Sequence, residues 1–287
     1  MTRLPCRSAH GTCLAKSGIR PQLAALIRVG GEMKRIALIV ALAWTLVLPT
    51  WASAQGGPGF LFNRPRVSIG FRTGYTIPKM GSNLFDQSRT DFTLNRWDFA
   101  GPYVGGDLAV RVSERWDVSL TGGWARGNGP SEYRDLIECS VVANPCPAQN
   151  QLPIEQETTF ETASGAIGGR YYFSDRGRSV GRFAWVPSRI SPFVGGGVGM
   201  MWYDFQQRGD FVDFQTYDIY GDDLQTSGSG ASVYGSAGVD ISIGRQFYLT
   251  GEARYNLASA GVRDSYSLYD RMDLSGLQLT TGISLRW

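Results

Sequence analysis

Apolar residues alternate with small or polar residues, at a period of two, in eight segments of this chain. The segment RVSIGFRTGY, residues 66–75, places its valine, isoleucine, phenylalanine and tyrosine on one face and its arginines, serine and glycines on the other. The other seven segments begin at Tyr103, Val118, Ser164, Phe193, Ser232, Phe247 and Leu277. A period of two is that of a β-strand, whose successive side chains point to opposite faces. The pattern therefore predicts an all-β chain of eight strands.

The predicted connections between these strands differ greatly in length. Short links span 113–116 and 244–246, a medium link spans 174–189, and long ones span 78–101, 127–156, 204–230 and 257–273. Loops this long are uncommon in compact soluble domains. Transmembrane barrels, in contrast, have short turns at one end and long loops at the other. The spacing therefore favours a membrane barrel.

Aromatic residues bracket the apolar faces of the predicted strands. The candidates are Trp116, Tyr171, Phe173, Phe247 and Trp287 at one end, and Tyr75, Trp124, Trp202 and Tyr255 at the other. Belts of this kind mark the two interfaces of a membrane. A soluble β-sandwich, the competing interpretation, also has alternating strands but buries its apolar face. We therefore predict an eight-stranded antiparallel up-and-down transmembrane β-barrel, which satisfies every backbone group without a free edge.

The stretch that follows Met33 has the three parts of a secretory signal peptide. A basic pair precedes an apolar run from Ile36 to Leu48, and small residues end the stretch at Ala54. A transmembrane anchor is the competing interpretation, but the apolar run is short and a proline follows it. We expect residues 33–54 to be a signal peptide, and residues 1–32 to reflect a mis-assigned translation start.

The charge balance depends on this expected leader. Residues 1–54 hold seven of the 28 Lys+Arg residues and one of the 25 Asp+Glu residues, so the remainder has 21 basic and 24 acidic residues. A net charge of −3 provides no electrostatic footprint for nucleic acid. We therefore expect no nucleic-acid partner.

Cys139 and Cys146 are the cysteines that follow the expected leader, and both lie in the polar stretch ECSVVANPCPAQN. In an oxidising compartment such a pair is expected to form a local disulfide. A zinc site is the alternative, but two cysteines with no histidine nearby supply too few ligands. We predict a Cys139–Cys146 disulfide.

Strand parity turns ten charged residues toward the interior of the predicted barrel. They are Arg66, Arg72, Arg111, Arg170, Arg254 and Arg286, together with Asp107, Asp117, Asp240 and Glu252. The interior of eight strands is just wide enough for side chains, and guanidinium groups pair well with carboxylates. We predict a charge network that plugs the lumen, with a water-filled channel as the alternative. A hydrophobic lumen is not evident at the inward positions.

No motif in the sequence supports catalysis or cofactor binding. The run VGGGVGM, residues 194–200, lacks the helix that must follow a phosphate-binding loop. The only histidine, His10, lies in the expected leader, so a serine nucleophile would lack its usual base. Residues 204–230 carry six aspartates interleaved with aromatics, but without EF-hand spacing. We interpret that segment as a solvated surface loop, and we predict no catalytic residue, cofactor or metal.

The last eight residues, TTGISLRW, resemble the C-terminal assembly signal of bacterial outer-membrane proteins. The matching positions are Thr280, Gly282, Leu285 and Trp287. The resemblance implies recognition by the barrel assembly machinery and pairing of the last strand with the first. It also implies an integral location in the bacterial outer membrane.

Three further stretches look like strands of small eight-stranded outer-membrane barrels of the OmpA, OmpX and OmpW kind. They are SPFVGGGVGMMWYDF from Ser191, GPYVGGDLAV from Gly101 and LTGEARYNL from Leu249. The resemblance covers roughly residues 64–287, which leaves 55–63 as a short N-terminal segment. It is a resemblance of architecture, and the long loops match no motif.

We therefore expect a non-enzymatic outer-membrane protein in contact with membrane lipid. Its structural or surface-interaction role, with an unidentified surface ligand, would be carried by four long external loops. The alternative is a narrow, porin-like channel for small solutes.

Overall fold

The computed structural model describes residues 59–140, 146–262 and 271–287, together with a short strand at 13–16. The strands are β1 (Cys13–Lys16), β2 (Leu61–Phe62), β3 (Val67–Pro78), β4 (Gly101–Arg111), β5 (Trp116–Cys139), β6 (Gln151–Tyr172), β7 (Gly177–Val180), β8 (Ala184–Pro187), β9 (Ile190–Val212), β10 (Ile219–Ser242), β11 (Phe247–Ala260), β12 (Met272–Asp273) and β13 (Gly276–Arg286). A helix, α1 (Asn83–Asp91), and a 3-10 turn (Ala148–Asn150) lie in two connections. Apart from β1, the expected leader at 1–54 lies outside the described residues. Within the described part of the chain, no helix is long and apolar enough to cross a membrane.

Eight strands close into a ring of antiparallel neighbours in the order β3, β4, β5, β6, β9, β10, β11 and β13. The ring is completed by β13, which pairs with β3 from Gly276↔Pro78 to Arg286↔Ser68. The backbone N–H of Trp287 donates to the carbonyl of Val67 at 3.0 Å. The C-terminal tryptophan is therefore held in place by backbone hydrogen bonds. The predicted eight-stranded antiparallel up-and-down barrel is confirmed.

The outer face of the ring is apolar and exposed. Ile69, Phe71, Leu120, Ile167, Val198, Leu257, Leu279 and Ile283 are all between 47% and 58% exposed. The aromatic residues predicted to form belts are also exposed or half-buried on this face. A water-soluble protein does not expose so large a continuous apolar surface, whereas lipid covers it in a transmembrane barrel.

The strands of the ring fall into two length classes. Strands β3, β4, β11 and β13 have 12, 11, 14 and 11 residues, about the number that spans a bilayer. Strands β5, β6, β9 and β10 have 24, 22, 23 and 24 residues. The excess of about a dozen residues corresponds to roughly 40 Å of strand. These four strands thus continue beyond the membrane as one sheet, which we call the extension.

The extension corrects the predicted loop boundaries. The segments 127–156 and 204–230 were expected to be loops, but most of each belongs to paired strands, with β5 on β6 and β9 on β10. At the end of the β5–β6 hairpin, the predicted disulfide between Cys139 and Cys146 is confirmed, with a Cα–Cα distance of 5.9 Å. Two of the four long connections are therefore short loops on long hairpins.

The first long connection folds back over the end of the barrel from which the extension projects, which we call the loop end. Its helix α1 has buried residues at helical spacing, namely Leu84, Phe85 and Ser88. The helix packs into an apolar cluster, the loop-end core, made chiefly of Met80, Leu84, Phe85, Leu94, Phe99, Ile154, Phe160, Met201, Tyr203, Phe205, Phe211 and Met272. This cluster closes the loop end.

The opposite end, which carries the short turns and is called the turn end, is covered by a small sheet. Strand β2 pairs with β8, and β8 pairs with β7. Trp185 of β8 is 1% exposed and lies beneath the guanidinium groups of Arg111 and Arg286, at 5.3 and 5.4 Å from its ring. We call this three-stranded sheet the turn-end cap. It joins the N-terminal segment to the medium connection of the barrel.

Candidate functional site: a filled lumen

Five charged side chains meet in the middle of the barrel and form what we call the lumen network: Arg72, Asp107, Arg170, Glu252 and Arg254. Asp107 accepts from Arg72 Nε at 2.6 Å and from Arg170 Nη1 at 3.1 Å. Glu252 is paired with Arg72, with Arg254 Nη2 at 3.2 Å and with Arg170 Nη2 at 3.7 Å. All five residues are less than 9% exposed. Three cations thus share two carboxylates in a buried setting.

Glycines opposite these residues on neighbouring strands make room for the lumen network. Arg72 lies opposite Gly105 and Gly282. Three further residues of the network also have a glycine partner, in Asp107↔Gly70, Arg170↔Gly195 and Glu252↔Gly238, whereas Arg254 lies opposite Ser236 and Gln278. A Cβ added at Gly70 would lie 2.5 Å from Oδ1 of Asp107. Small residues at these inward positions are therefore a condition for fitting the large ones.

The arginine that pairs with Asp117 lies outside the ring strands. Arg176, in the connection after β6, donates from Nη1 and Nη2 to the two carboxylate oxygens, each at 2.6 Å. Its guanidinium also lies 4.4 Å from the ring centroid of Tyr172. Strand parity could not identify Arg176 because it applies only to residues within strands. The only signal for this contact in the sequence was the presence of a basic residue in the medium link, residues 174–189.

Asp240 is buried without an ion pair among the described residues. It accepts hydrogen bonds from the hydroxyl groups of Tyr172 at 2.9 Å and Thr250 at 2.8 Å. These two neutral donors replace the arginine partner expected from the sequence.

The three remaining arginines of the predicted set do not join the lumen network. Arg286 donates to the carbonyls of Arg245 and Gly244, at 3.1 and 3.2 Å. Arg111 lies over Trp185 at the turn end. Arg66 precedes β3 and is exposed, and it lies at the turn-end rim of the interior, where it lines a small cavity.

The loop-end half of the interior is apolar, although no hydrophobic lumen was evident at the inward positions of the sequence. Phe85 is fully buried, and its ring centroid lies 5.3, 5.6 and 6.0 Å from those of Phe99, Phe160 and Phe205. A cavity of about 20 Å³ is lined partly by Phe99, Phe160 and Met201. A volume of this size accommodates about one water molecule. The apolar interior is therefore packed rather than open.

Residues on the outer face of the extension are polar and paired across strands. Arg208 Nε donates to Asp223 at 3.1 Å, and Gln206 donates to the same carboxylate at 2.6 Å. These hydrogen bonds, from Arg208 first and then from Gln206, hold the pKa of the Asp223 carboxyl below its usual range. Arg126 and Glu161 form a similar pair at 3.3 Å. The described residues contain no group of three His, Cys, Asp or Glu side chains suited to a metal ion.

The residues that match the assembly signal lie on the closing strand β13. Thr280 and Gly282 lie on the inner face, where the Thr280 hydroxyl donates to the carbonyl of Glu252 at 3.4 Å. Leu285 is half-buried, and Trp287 is exposed at the turn end. The recognition of these residues during assembly stays a prediction.

No protein-family model matches the chain, and no curated protein matches it significantly. Among solved structures, it is similar to the outer membrane protein OprG from Pseudomonas aeruginosa, with 12% identity, a TM-score of 0.43 and coverage of 81% of this chain and 99% of that one. Neisserial surface protein A is similar at 12% identity and a TM-score of 0.42, covering 77% and 96%. Ail of Yersinia pestis, in complex with the heparin analogue sucrose octasulfate, is similar at 11% identity and a TM-score of 0.38, covering 77% and 97%.

These likenesses are of fold at most, and the location follows from the molecule itself. A closed ring leaves no backbone edge unsatisfied in lipid, and its exterior is apolar with aromatic belts. The chain is therefore an integral outer-membrane β-barrel.

Proposed function

We propose that this protein is a non-enzymatic, non-conducting outer-membrane barrel whose extension serves surface interaction outside the cell. The observation that carries the proposal is the filling of the interior from end to end. The turn-end cap, the lumen network and the loop-end core follow one another along the barrel axis, and the cavities beside the cap and beside the loop-end core measure about 20 Å³ each. A water-filled passage for solutes has no room in such an interior.

The extension supports the second half of the proposal. Four strands, twice as long as a bilayer requires, form a sheet with a disulfide near its end. Residues 127–156 and 204–230 together hold ten acidic residues and two arginines. We infer that the loop end faces the exterior and that the extension favours a partner with a basic surface.

The absence of catalysis is part of the proposal and rests on the sequence. His10, the only histidine, lies in the expected leader. The buried carboxylates of the lumen network are paired with arginines, as in a structural ion-pair network.

Conductance across planar bilayers tests the first half of the proposal. The purified full chain is expected to insert without steady single-channel currents. A stable ohmic conductance of folded wild-type protein would contradict the proposal and favour a narrow channel.

Binding of poly-L-lysine to the protein in lipid nanodiscs tests the second half. Binding should weaken as salt rises, because exposed charges are screened. Replacing exposed Asp210 and Asp222 by asparagine should weaken it further, whereas the exposed turn-end variant Glu114→Gln should not. Equal binding by all three proteins would count against the extension as the binding surface.

A further inference from the structure

The turn end of the lumen contains a small cavity in which basic groups outnumber acidic ones. Its volume is about 20 Å³, enough for about one water-sized particle. The charged residues that line it are Arg66, Arg111, Arg176, Arg286, Asp117 and Asp240. The local balance of formal charge is thus +2. Within this lining Asp117, Asp240 and Arg286 are 2%, 6% and 8% exposed, whereas Arg66 lies at the exposed rim.

Both carboxylates of the cavity are already engaged by other groups. Asp117 binds the two terminal nitrogens of Arg176. Asp240 accepts from Tyr172 and Thr250. Arg111 lies directly opposite Asp117 in the β4–β5 register, yet the acid binds Arg176 instead. Arg111 therefore lies opposite Asp117 without forming an ion pair with it.

Arg111 and Arg176 present donors that no acceptor among the described residues satisfies. The donors are Nε and Nη1 of Arg111 and Nε of Arg176, and all three atoms are buried. Trp185 lies against the Arg111 guanidinium at 5.3 Å, which provides a cation–π contact but no acceptor. Buried donors are costly unless a group accepts hydrogen bonds from them, so a water molecule or an anion bound in the cavity would stabilise the fold.

We propose that this cavity binds one small monovalent anion of halide size, held by Arg111 and Arg176. An anion accepts hydrogen bonds from several N–H groups at once and also offsets the excess positive charge. A water molecule would accept these hydrogen bonds without changing the charge balance. The volume excludes larger anions such as an organic phosphate. Chloride, the common small anion, is the expected ligand.

Urea unfolding of the full-length protein in a non-ionic detergent tests this inference. The midpoint should rise with sodium chloride relative to sodium gluconate at equal ionic strength, because a ligand that binds only the folded state stabilises it. In Arg111→Gln the difference between the two salts should disappear. In Arg178→Gln, which removes an exposed arginine of the turn-end cap, the difference should remain.

Chlorine-35 NMR of the folded wild type provides a measurement that does not depend on a variant folding. Bound chloride in exchange broadens the line beyond that of detergent alone, and bromide should compete this broadening away. Equal urea midpoints in chloride and gluconate, or an unbroadened chlorine line, would overturn the proposal.

Discussion

The middle and the loop end of this barrel fill their interiors in opposite ways. In the middle, inward positions carry arginines and carboxylates, whereas at the loop end they carry phenylalanine, tyrosine and methionine. The change occurs within single strands. In β9, Trp202 lies on the outer face and is exposed, and Tyr203 lies on the inner face and is buried. The next residue of the outer face is half-buried Asp204, and the next of the inner face is buried Phe205.

The medium outside the strand accounts for this inversion. Where lipid covers the exterior, the outward residues must be apolar, and polar side chains can only be placed inside. Where water covers the exterior, the outward residues are polar, and apolar residues form a core between the sheet and α1. The strand keeps its period of two while the chemistry of its two faces is exchanged.

The largest effect that we expect distinguishes the two interiors through Glu252. Replacing it by alanine leaves Arg72, Arg170 and Arg254 with one buried carboxylate in place of two. Removing one partner of a buried ion pair costs about 3 to 5 kcal/mol. Urea unfolding in detergent should show this loss of stability, and conductance should stay absent because the loop-end core still closes the barrel.

Glu157→Ala is the matched control, since Glu157 is exposed on the extension. Its effect should fall within about 0.5 kcal/mol, as for ordinary surface substitutions. If Glu252→Ala hardly changed the free energy of unfolding and the wild type conducted, water would solvate the arginines. That pair of results would favour the channel interpretation.

Phe85→Ala, at the loop end, is expected to lower the stability of the barrel less than Glu252→Ala does. The fully buried ring contacts three other phenylalanine rings, and truncating a buried phenylalanine costs at least about 3 kcal/mol. The loss should be local to α1, because the barrel strands keep all their hydrogen bonds. Trypsin cleavage after Arg89 should become faster while the urea midpoint of the barrel changes less than in Glu252→Ala.

Trp97→Ala serves as the control at the same end, because Trp97 is 64% exposed. Its rate of cleavage after Arg89 should match the wild type. If Phe85→Ala instead lowered the stability of the whole barrel as much as Glu252→Ala, the two interiors would behave as one cooperative unit.

The alternation in sequence predicted the barrel because lipid makes the two faces of each strand chemically distinct. It located the inward faces of Arg72, Asp107, Arg170, Glu252 and Arg254, which the structure brings together. It did not locate the extension, because polar outward residues there were interpreted as solvated loop. The run from Asp204 to Phe211 in fact continues the period of two, with its faces exchanged.

Contacts made by the connections could not be predicted from strand parity. Arg176 and Trp185 complete the turn end of the lumen from a link between ring strands. Helix α1 has a buried pair, Leu84 and Phe85, but only nine residues, too short for a periodic signal. Which side such a segment covers depends on tertiary packing.

Crowding in the middle of the barrel predicts a moderate effect for Gly70→Ala. The added Cβ would lie 2.5 Å from Oδ1 of Asp107, so the lumen network must shift. Overpacking of this kind costs about 1 to 3 kcal/mol. Gly251→Ala is the matched control in a ring strand, since a Cβ there meets nothing within 4 Å. Equal urea midpoints for the two variants would show that the middle is less tightly packed than its distances indicate.

The smallest effect on the barrel is expected from removal of the disulfide at the far end of the β5–β6 hairpin. Cys139 and Cys146 are seven residues apart, and closure of so short a loop is worth roughly 2 to 3 kcal/mol in the chain-entropy model. That free energy concerns the hairpin end alone, because the ring closes through β13 and β3 without it. With serine at both positions, hydrogen exchange should rise at the ends of β5 and β6, while the urea midpoint of the barrel should stay within experimental error. Reduced wild type should behave like the double variant, which controls for the serine substitutions. A large loss of barrel stability in both would mean that the extension and the ring fold as one unit. The middle and the loop end would then not be independently stable.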